Sequence, residues 1–362
     1  MKTAKKTVLV FVLCFIITVS VIIPASALTE YQQKISEFAT NINTLVVYDV
    51  TNGKALFAKN EKAHISIAST TKLVTSLVAL KYLSPDHVIT VGNEIYLVKP
   101  NSSLSLIRPG HQLKLRTLIA AMLLPSGNDA AYTVAVNVAR VHSGDSALSG
   151  TAAVNYFCNL MNEYARELGC NNTYFVNPEG WDDPNHFSTA EDMTKFALAA
   201  VKNSIITSIA NIHSNKFYFY SGENITWNNS NELINPNSPY YYPYAHGLKT
   251  GTTYSAGKCL VANAVKDGRE ILILAYGCKE EADRFGKVRD IFQYIYSAPT
   301  LGDVDESGNI SAADARLVLR ASVNLEEITP ILKARGDVNK DGKLSSEDAR
   351  TILRASVGLE TI

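Results

Sequence analysis

Apolar and polar positions change their spacing several times along this chain, and each change marks an element. Residues 8–23 form one apolar run behind Lys2, Lys5 and Lys6, and Pro24, Ala25, Ser26 and Ala27 follow before Leu28. A basic start, an apolar stretch and a small-residue end predict a secretory signal over residues 1–27, the Ala-Ser-Ala end favouring removal over retention as an anchor. Strand-like runs at 44–50 and 54–58 flank Thr51, Asn52 and Gly53, which predicts a hairpin. Helical spacing covers 71–83, bounded by Ser84 and Pro85, then 115–124, 129–141 and 152–168, the last stopped by Gly169. Strand-like runs return at 216–220, 257–265 and 270–276 before a terminal helix over 279–296. Strands from both ends around a helical middle predict a mixed α/β (α+β) fold, an antiparallel sheet packed with a helical subdomain.

The end of the chain repeats itself. Residues 302–326 recur at 336–360 with 15 of 25 positions identical at an offset of 34. Ser297, Ala298, Pro299, Thr300 and Leu301 read as a short linker, so the domain boundary is expected near residue 298: residues 28–297 form one domain and 298–362 a second.

Composition narrows the functional classes. With 46% hydrophobic and 19% charged residues, the 362-residue chain buries a real core, and 34 basic against 34 acidic residues give no electrostatic case for nucleic acid. Loss of the signal removes three lysines and Cys14, leaving Cys158, Cys170, Cys259 and Cys278 in a chain whose export permits disulfides. A turn at Asp267 and Gly268 pairs Lys266 with Arg269 and sets Cys259 opposite Tyr276, so a bond from Cys259 to Cys278 requires a bulge or shifted register. Four buried thiols fit the composition as readily as a disulfide framework.

Ser69 and Lys72 open the 71–83 helix at a spacing of three, which puts both side chains on one face within hydrogen-bond reach. A neutral lysine there can take the serine proton, and burial beside another cation lowers a lysine pKa in the required direction. The spacing alone arises by chance roughly once or twice in a chain of this composition. Ser255 to Lys258 is a second instance, at a strand turn where no helical face pairs the two. An N-cap serine with an exposed lysine is therefore the competing reading of Ser69 by itself. Two further motifs shift the balance: Ser126, Gly127 and Asn128 lie 57 residues downstream before a helical run, and Lys249, Thr250 and Gly251 open a strand-like region. Ser-Gly-Asn also occurs at Ser307 to Asn309, but order and context match the serine-lysine, Ser-x-Asn and Lys-Thr-Gly set of penicillin-binding proteins and serine β-lactamases.

Residues 38–296 resemble the penicillin-binding D-alanyl-D-alanine carboxypeptidases, through IASTTKLVTSLVAL, LLPSGNDAA, NPEGWDDPNHFSTAEDM and GLKTGTTYSAGKCLVA. The resemblance implies a β-lactamase/transpeptidase-like fold and an acyl-enzyme on Ser69, with no catalytic cofactor. Lys72 would take the serine proton, Ser126 would relay a proton to the leaving amine, and Asn128 would hold the substrate amide or Lys72. Lys249 and Thr250 would bind the terminal carboxylate, and the backbone N–H groups of Ser69 and Thr252 would form the oxyanion hole. It also implies peptidoglycan peptides ending in D-Ala-D-Ala as substrates and β-lactams as inhibitors. Gly251 is expected where substrate lies against backbone, with a turn glycine as the alternative. His186 is expected to order its loop, and Tyr240, Tyr241, Tyr242 and Tyr244 to pack rather than to rim the groove.

A serine β-lactamase is the nearest rival. Its signature, a glutamate with an asparagine four residues on, is met by Glu167 and Asn171, although Glu167 ends a helix next to Gly169, where an exposed carboxylate is expected. No Gly-x-Ser-x-Gly elbow and no His-Glu-x-x-His motif occurs. A scaffold-bound interaction protein with an inactive site is the remaining alternative.

The repeat carries its own chemistry. Asp337, Asn339, Asp341, Gly342, Lys343, Ser345 and Asp348 occupy positions 1, 3, 5, 6, 7, 9 and 12 of a calcium loop over 337–348, position seven offering only its carbonyl. The first loop, 303–314, supplies Asp303, Asp305, Ser307, Gly308, Asn309, Ser311 and Asp314. Ser307 is the poorer ligand, so the second loop is expected to bind more tightly. Each loop leads into a helix, with Arg316 and Arg320 or Arg350 and Arg354, and neither shows an entering helix in the sequence pattern. Residues 302–360 resemble a type I dockerin, a small all-α calcium-binding module whose family partner is a cohesin on a scaffoldin. Loop positions ten and eleven, where that family makes contacts, are Ala312 and Ala313 in one copy and Ser346 and Glu347 in the other, so the two faces differ. A calcium-stabilised lid without a partner is the alternative. Together these readings predict a secreted, extracellular protein associated with the cell wall or a scaffold.

Overall fold

The computed structural model describes residues 30–297, 301–305, 307 and 309–362. The expected signal segment and the expected boundary near residue 298 lie outside those residues. Helix α1 (Glu30–Phe38) precedes a hairpin of β1 (Thr44–Asp49) and β2 (Lys54–Lys59), and a single 3-10 turn at Ala68–Thr70 leads into α2 (Thr71–Tyr82). A small hairpin of β3 (Val88–Thr90) and β4 (Gln112–Lys114) is followed by α3 (Leu115–Leu123), α4 (Asn128–Ser143), α5 (Gly150–Glu167), α6 (Ala190–Val201) and α7 (Ser204–Ala210). Strands β5 (Ser214–Tyr218) and β6 (Asn224–Asn228) come next, then β7 (Ala245–Thr253), β8 (Gly257–Lys266), β9 (Arg269–Cys278) and α8 (Lys287–Ser297).

The main sheet is antiparallel with strand order β2-β1-β9-β8-β7, so an early and a late strand meet where β1 pairs with β9. Alternation along each strand feeds two cores. Val46, Leu272, Leu274, Val261 and Leu248 pack with the helices of the chain's middle, while Leu45, Val47, Ile271, Ile273, Leu260 and Ala262 pack with residues of α1 and α8. Helices therefore cover both faces, which leaves β7 as an edge strand beside the 3-10 turn.

Most expected elements are present within a few residues of their expected bounds, and three differ. The run at 216–220 is not part of the main sheet: among the described residues β5 pairs only with β6, and Phe217 and Phe219 pack at a tilt on Trp227 of the same hairpin. The terminal helix is interrupted by a π turn at Ala282–Gly286 before α8, and that wider turn brings Arg284 against β7. The turn at Asp267 and Gly268 pairs Lys266 with Arg269 as expected, but a bulge between Lys258 and Leu260 sets Cys278 opposite Lys258. Cys158, Cys170, Cys259 and Cys278 are all buried free thiols. No helix among the described residues is long and apolar enough to cross a membrane.

The repeated segment forms α9 (Ala312–Ser322), α10 (Pro330–Gly336) and α11 (Ser346–Ser356) around Val318, Ala321, Leu332 and Ile352. Helix α10 runs straight into the second loop at Asp337, so that loop does have an entering helix, contrary to expectation. It is only seven residues long and opens with Thr329 and Pro330, a cap and an N1 proline too short to leave a periodic signature.

Candidate active site

Ser69 lies in the 3-10 turn Ala68–Thr70 and Lys72 in the first turn of α2, at the spacing expected. Lys72 Nζ donates to Ser69 Oγ at 2.7 Å and to the backbone carbonyl of Glu179 at 2.9 Å, with the lysine 0% exposed. The exposed-lysine reading is thereby excluded. Burial pulls the ammonium down to about 8, against the opposing pull of the Glu179 and Asp129 carboxylates. Ala68 holds a left-handed φ of 47° in front of Ser69, a conformation non-glycine residues seldom adopt.

A cleft of about 290 Å³ opens over this turn, lined by Ser69, Asn128, Glu179, Trp181, Asp182 and Thr252 among others. Asn128 starts α4, and Ser126 before it is buried with a φ of 65°. Asp129 fastens the facing wall. Its Oδ1 accepts from Ser105 N and Oγ, both at 2.8 Å, and its Oδ2 accepts from Ile107 N at 3.2 Å, which fixes the segment whose Asn101, Ser102 and Ser103 also line the cleft.

Strand β7 forms the opposite wall. Gly251 does not serve a turn, and the group that approaches it is the serine turn itself: a Cβ there would lie 2.9 Å from Ala68 Cβ and 3.0 Å from Ser69 N. Packing of the edge strand on the serine turn thus leaves no room for a side chain at this position. Lys249 is 1% exposed, donates to the Thr250 carbonyl at 3.0 Å, and is held well below its ordinary pKa by burial, then by the charges of Lys72 and Arg284. The Thr250 hydroxyl is tied to that of Ser230, and only Thr252 of this strand motif lines the cleft. Arg284, which no motif marks, donates to Gly251 O at 3.2 Å and Thr252 Oγ1 at 3.0 Å.

The loop between α5 and α6 closes the floor. Asn177 Oδ1 accepts from the amides of Glu179, Gly180 and Trp181, and Gly180 at φ +92° passes against the Ala68 carbonyl. His186 is 3% exposed and accepts from Val176 N through Nδ1, so its Nε2 donates to Thr71 Oγ1 at 3.0 Å, and Thr71 in turn donates to Ala68 O. Burial lowers its pKa to about 4. It therefore orders the loop as a neutral ring, as expected. Glu167 lies outside the cleft on the exposed end of α5, paired with Lys81. Tyr242 is buried in stacking contact with Phe292 and Tyr240 packs on Phe285, which is packing. Glu179, Asp129 and Arg284 escaped sequence reasoning because each acts across distant segments.

In the C-terminal module, the carboxylates of Asp303, Asp305 and Asp314 converge within 4.8 Å of one another, a density of like charge that a hard cation would neutralise. In the second loop Gly342 takes φ +85°, and the Asp337 carboxylate accepts the amides of Asp341 and Gly342. Position six of the first loop, Gly308, lies outside the described residues. Asp314 and Asp348 each close a capping box with Ser311 or Ser345 at the start of α9 or α11. The donor set of aspartate, asparagine and serine oxygens fits calcium.

Residues 31–279 match the peptidase S11 family, D-alanyl-D-alanine carboxypeptidase, and residues 301–355 match the type I dockerin domain. The chain is 26% identical over 277 residues to D-alanyl-D-alanine carboxypeptidase DacF of Bacillus subtilis (strain 168), covering 76% of this chain and 67% of that one. It is 30% identical over 267 residues to DacD of Salmonella typhimurium, covering 71% of this chain and 63% of that one. The chain thus spans about two thirds of the length of these relatives. Among solved structures, the Streptomyces K15 DD-transpeptidase aligns with a TM-score of 0.64 at 28% identity, over 71% of this chain and 97% of that one. The fold is accordingly DD-transpeptidase-like, and with a family match over most of its length the chain belongs to the S11 family of D-alanyl-D-alanine carboxypeptidases, with a type I dockerin domain following.

Proposed function

We propose that this protein removes the terminal D-alanine from peptidoglycan stem peptides through an acyl-enzyme on Ser69, and that its dockerin tethers it to a cohesin-bearing scaffold outside the cell. The observation that carries the catalytic reading is the 2.7 Å contact between Lys72 Nζ and Ser69 Oγ with the lysine sealed from solvent. A solvated lysine stays charged at neutral pH and cannot accept a proton; a desolvated one can. In this reading Ser69 Oγ attacks the carbonyl between the two D-alanines while Lys72 takes its proton. Ser126 passes a proton to the leaving amine and Asn128 holds the substrate amide. Lys249 and Thr250, backed by Arg284 on Gly251 and Thr252, attract the terminal carboxylate, which accounts for buried cations behind an edge strand. The N–H groups of Ser69 and Thr252 receive the oxyanion. β-Lactams would acylate the same serine.

In the dockerin, Asp303, Asp305, Ser307, Asn309, Ser311 and Asp314 would hold one calcium ion and Asp337, Asn339, Asp341, Lys343 through its carbonyl, Ser345 and Asp348 a second. Calcium neutralises the clustered carboxylates and so stiffens the loops that start α9 and α11. Incubation of the full chain with a peptide ending in D-Ala-D-Ala, beside Ser69→Ala, tests the catalytic reading. D-alanine release that survives the substitution overturns it. Cohesin pull-down with and without chelator tests the tether, and capture that ignores the chelator counts against it.

A further inference from the structure

Glu179 is a buried carboxylate inside the cleft to which the acylation scheme gives no task. It is 1% exposed and lines the cleft with Ser69 and Asn128, while its own backbone carbonyl receives Lys72. Tyr132 donates to Oε1 at 3.1 Å, and Oε2 has no hydrogen-bond partner among the described residues. The Asn128 amide favours the charged carboxylate, and Asn128 Oδ1 is likewise a buried acceptor with no donor among the described residues. Two buried acceptors facing one reaction site are a costly arrangement unless something with O–H groups visits them.

We propose that the Glu179 carboxylate accepts the proton of the water that hydrolyses the acyl-enzyme. This rests on the acyl-enzyme reading above. Hydrolysis needs two proton movements at once: the attacking water must lose a proton and the departing Ser69 Oγ must gain one. Lys72, 2.7 Å from Oγ, is placed for the second. The other carboxylate lining the cleft, Asp182, is committed to Thr253 Oγ1 at 2.7 Å and Ser255 N at 3.0 Å, which leaves Glu179 for the first. The water oxygen bonds to the acyl carbon and its proton passes to Glu179. The carbon–Oγ bond breaks and Oγ takes a proton from the Lys72 ammonium, after which Glu179 returns its proton to Lys72. Lys72 enters this step charged, so one solvent proton is taken up after the amine leaves and released before the next acylation. The groups facing Glu179 are Lys72 from α2, Asn128 and Tyr132 from α4, and Lys99 from the segment before β4; burial outweighs them and lifts the carboxyl above its ordinary range. A base poised nearer neutrality is the more effective one.

Glu179→Gln in the full chain decides the matter, with benzylpenicillin and a D-Ala-D-Ala peptide as probes and intact-mass spectrometry of the adduct as readout. Acylation should stay within about threefold of the parent, while acyl-enzyme breakdown slows by roughly 10²-fold or more, as loss of a general base does. The peptide acyl-enzyme should then accumulate, and the acidic limb of the deacylation profile should vanish. Glu179→Asp should keep that limb with slower breakdown, which also covers a failure of the glutamine variant to fold. Unchanged breakdown, or acylation raised well beyond threefold with its pH profile displaced to lower pH, as loss of a mere counter-ion to Lys72 would cause, overturns the proposal. A parent that forms no Ser69 adduct with either probe overturns the acyl-enzyme reading itself, and this proposal with it.

Discussion

Gly180 and Ala68 touch so closely that a methyl group on Gly180 would lie 1.8 Å from the Ala68 carbonyl oxygen. This contact locks the floor loop against the serine turn. The same loop sends the Glu179 carbonyl to Lys72, so backbone packing at one glycine sets the position of the base.

Gly180→Ala should therefore damage both fold and function. The added methyl meets backbone that cannot swing aside, and φ +92° is unfavourable for any side chain. A stability loss of roughly 2–4 kcal/mol is expected, at the upper end for single substitutions. Thermal unfolding and the rate of β-lactam acylation measure the two effects, and a variant with unchanged melting would refute the clash.

The Lys72 amine must be neutral to accept a proton, and burial puts its pKa at about 8. Acylation should rise with pH through that value and level off above it. Lys72→Met should lower the rate by roughly 10³-fold while leaving the fold intact. A second-order acylation profile over pH 6 to 10 checks both, and a flat profile would argue for another base.

His186 should give the protein an acid-labile step. Its folded pKa of about 4 lies below the ordinary value of 6.5, so the folded state excludes a proton that the unfolded chain accepts. The stability it contributes is complete above pH 6.5 and is lost as pH falls through 4, amounting to about 3 kcal/mol. His186→Gln should flatten denaturant midpoints across that window. An equally steep loss in the variant would assign the acid step to another group.

Chelation should separate the two domains. Removing calcium from the full chain with EGTA should lower the unfolding transition of the repeat and leave Ser69 acylation unchanged, because the clustered Asp303, Asp305 and Asp314 carboxylates then repel. Asp337→Ala should weaken the second loop selectively. Calorimetry of the full chain reads both, and a thermogram indifferent to EGTA would remove calcium from the account.

What could be read from the sequence was local in origin. The helical turn that pairs Ser69 with Lys72, the β1–β2 and β8–β9 hairpins, and the duplicated loops with Gly342 at the sharp turn all follow from spacing and turn chemistry close along the chain. Tertiary structure decided whatever depends on desolvation or on segments far apart. Burial makes Lys72 a candidate base, and the neutral His186 ring and the bulge that aligns Cys278 with Lys258 belong to the assembled domain. So does the cleft-facing carboxylate. Sequence placed Glu167 on an exposed helix end, as found, but gave no sign of Glu179, which reached the site because its loop folds under α2. Spacing along a chain specifies which neighbours a residue has within one element, but solvent exclusion is a property of the packed whole.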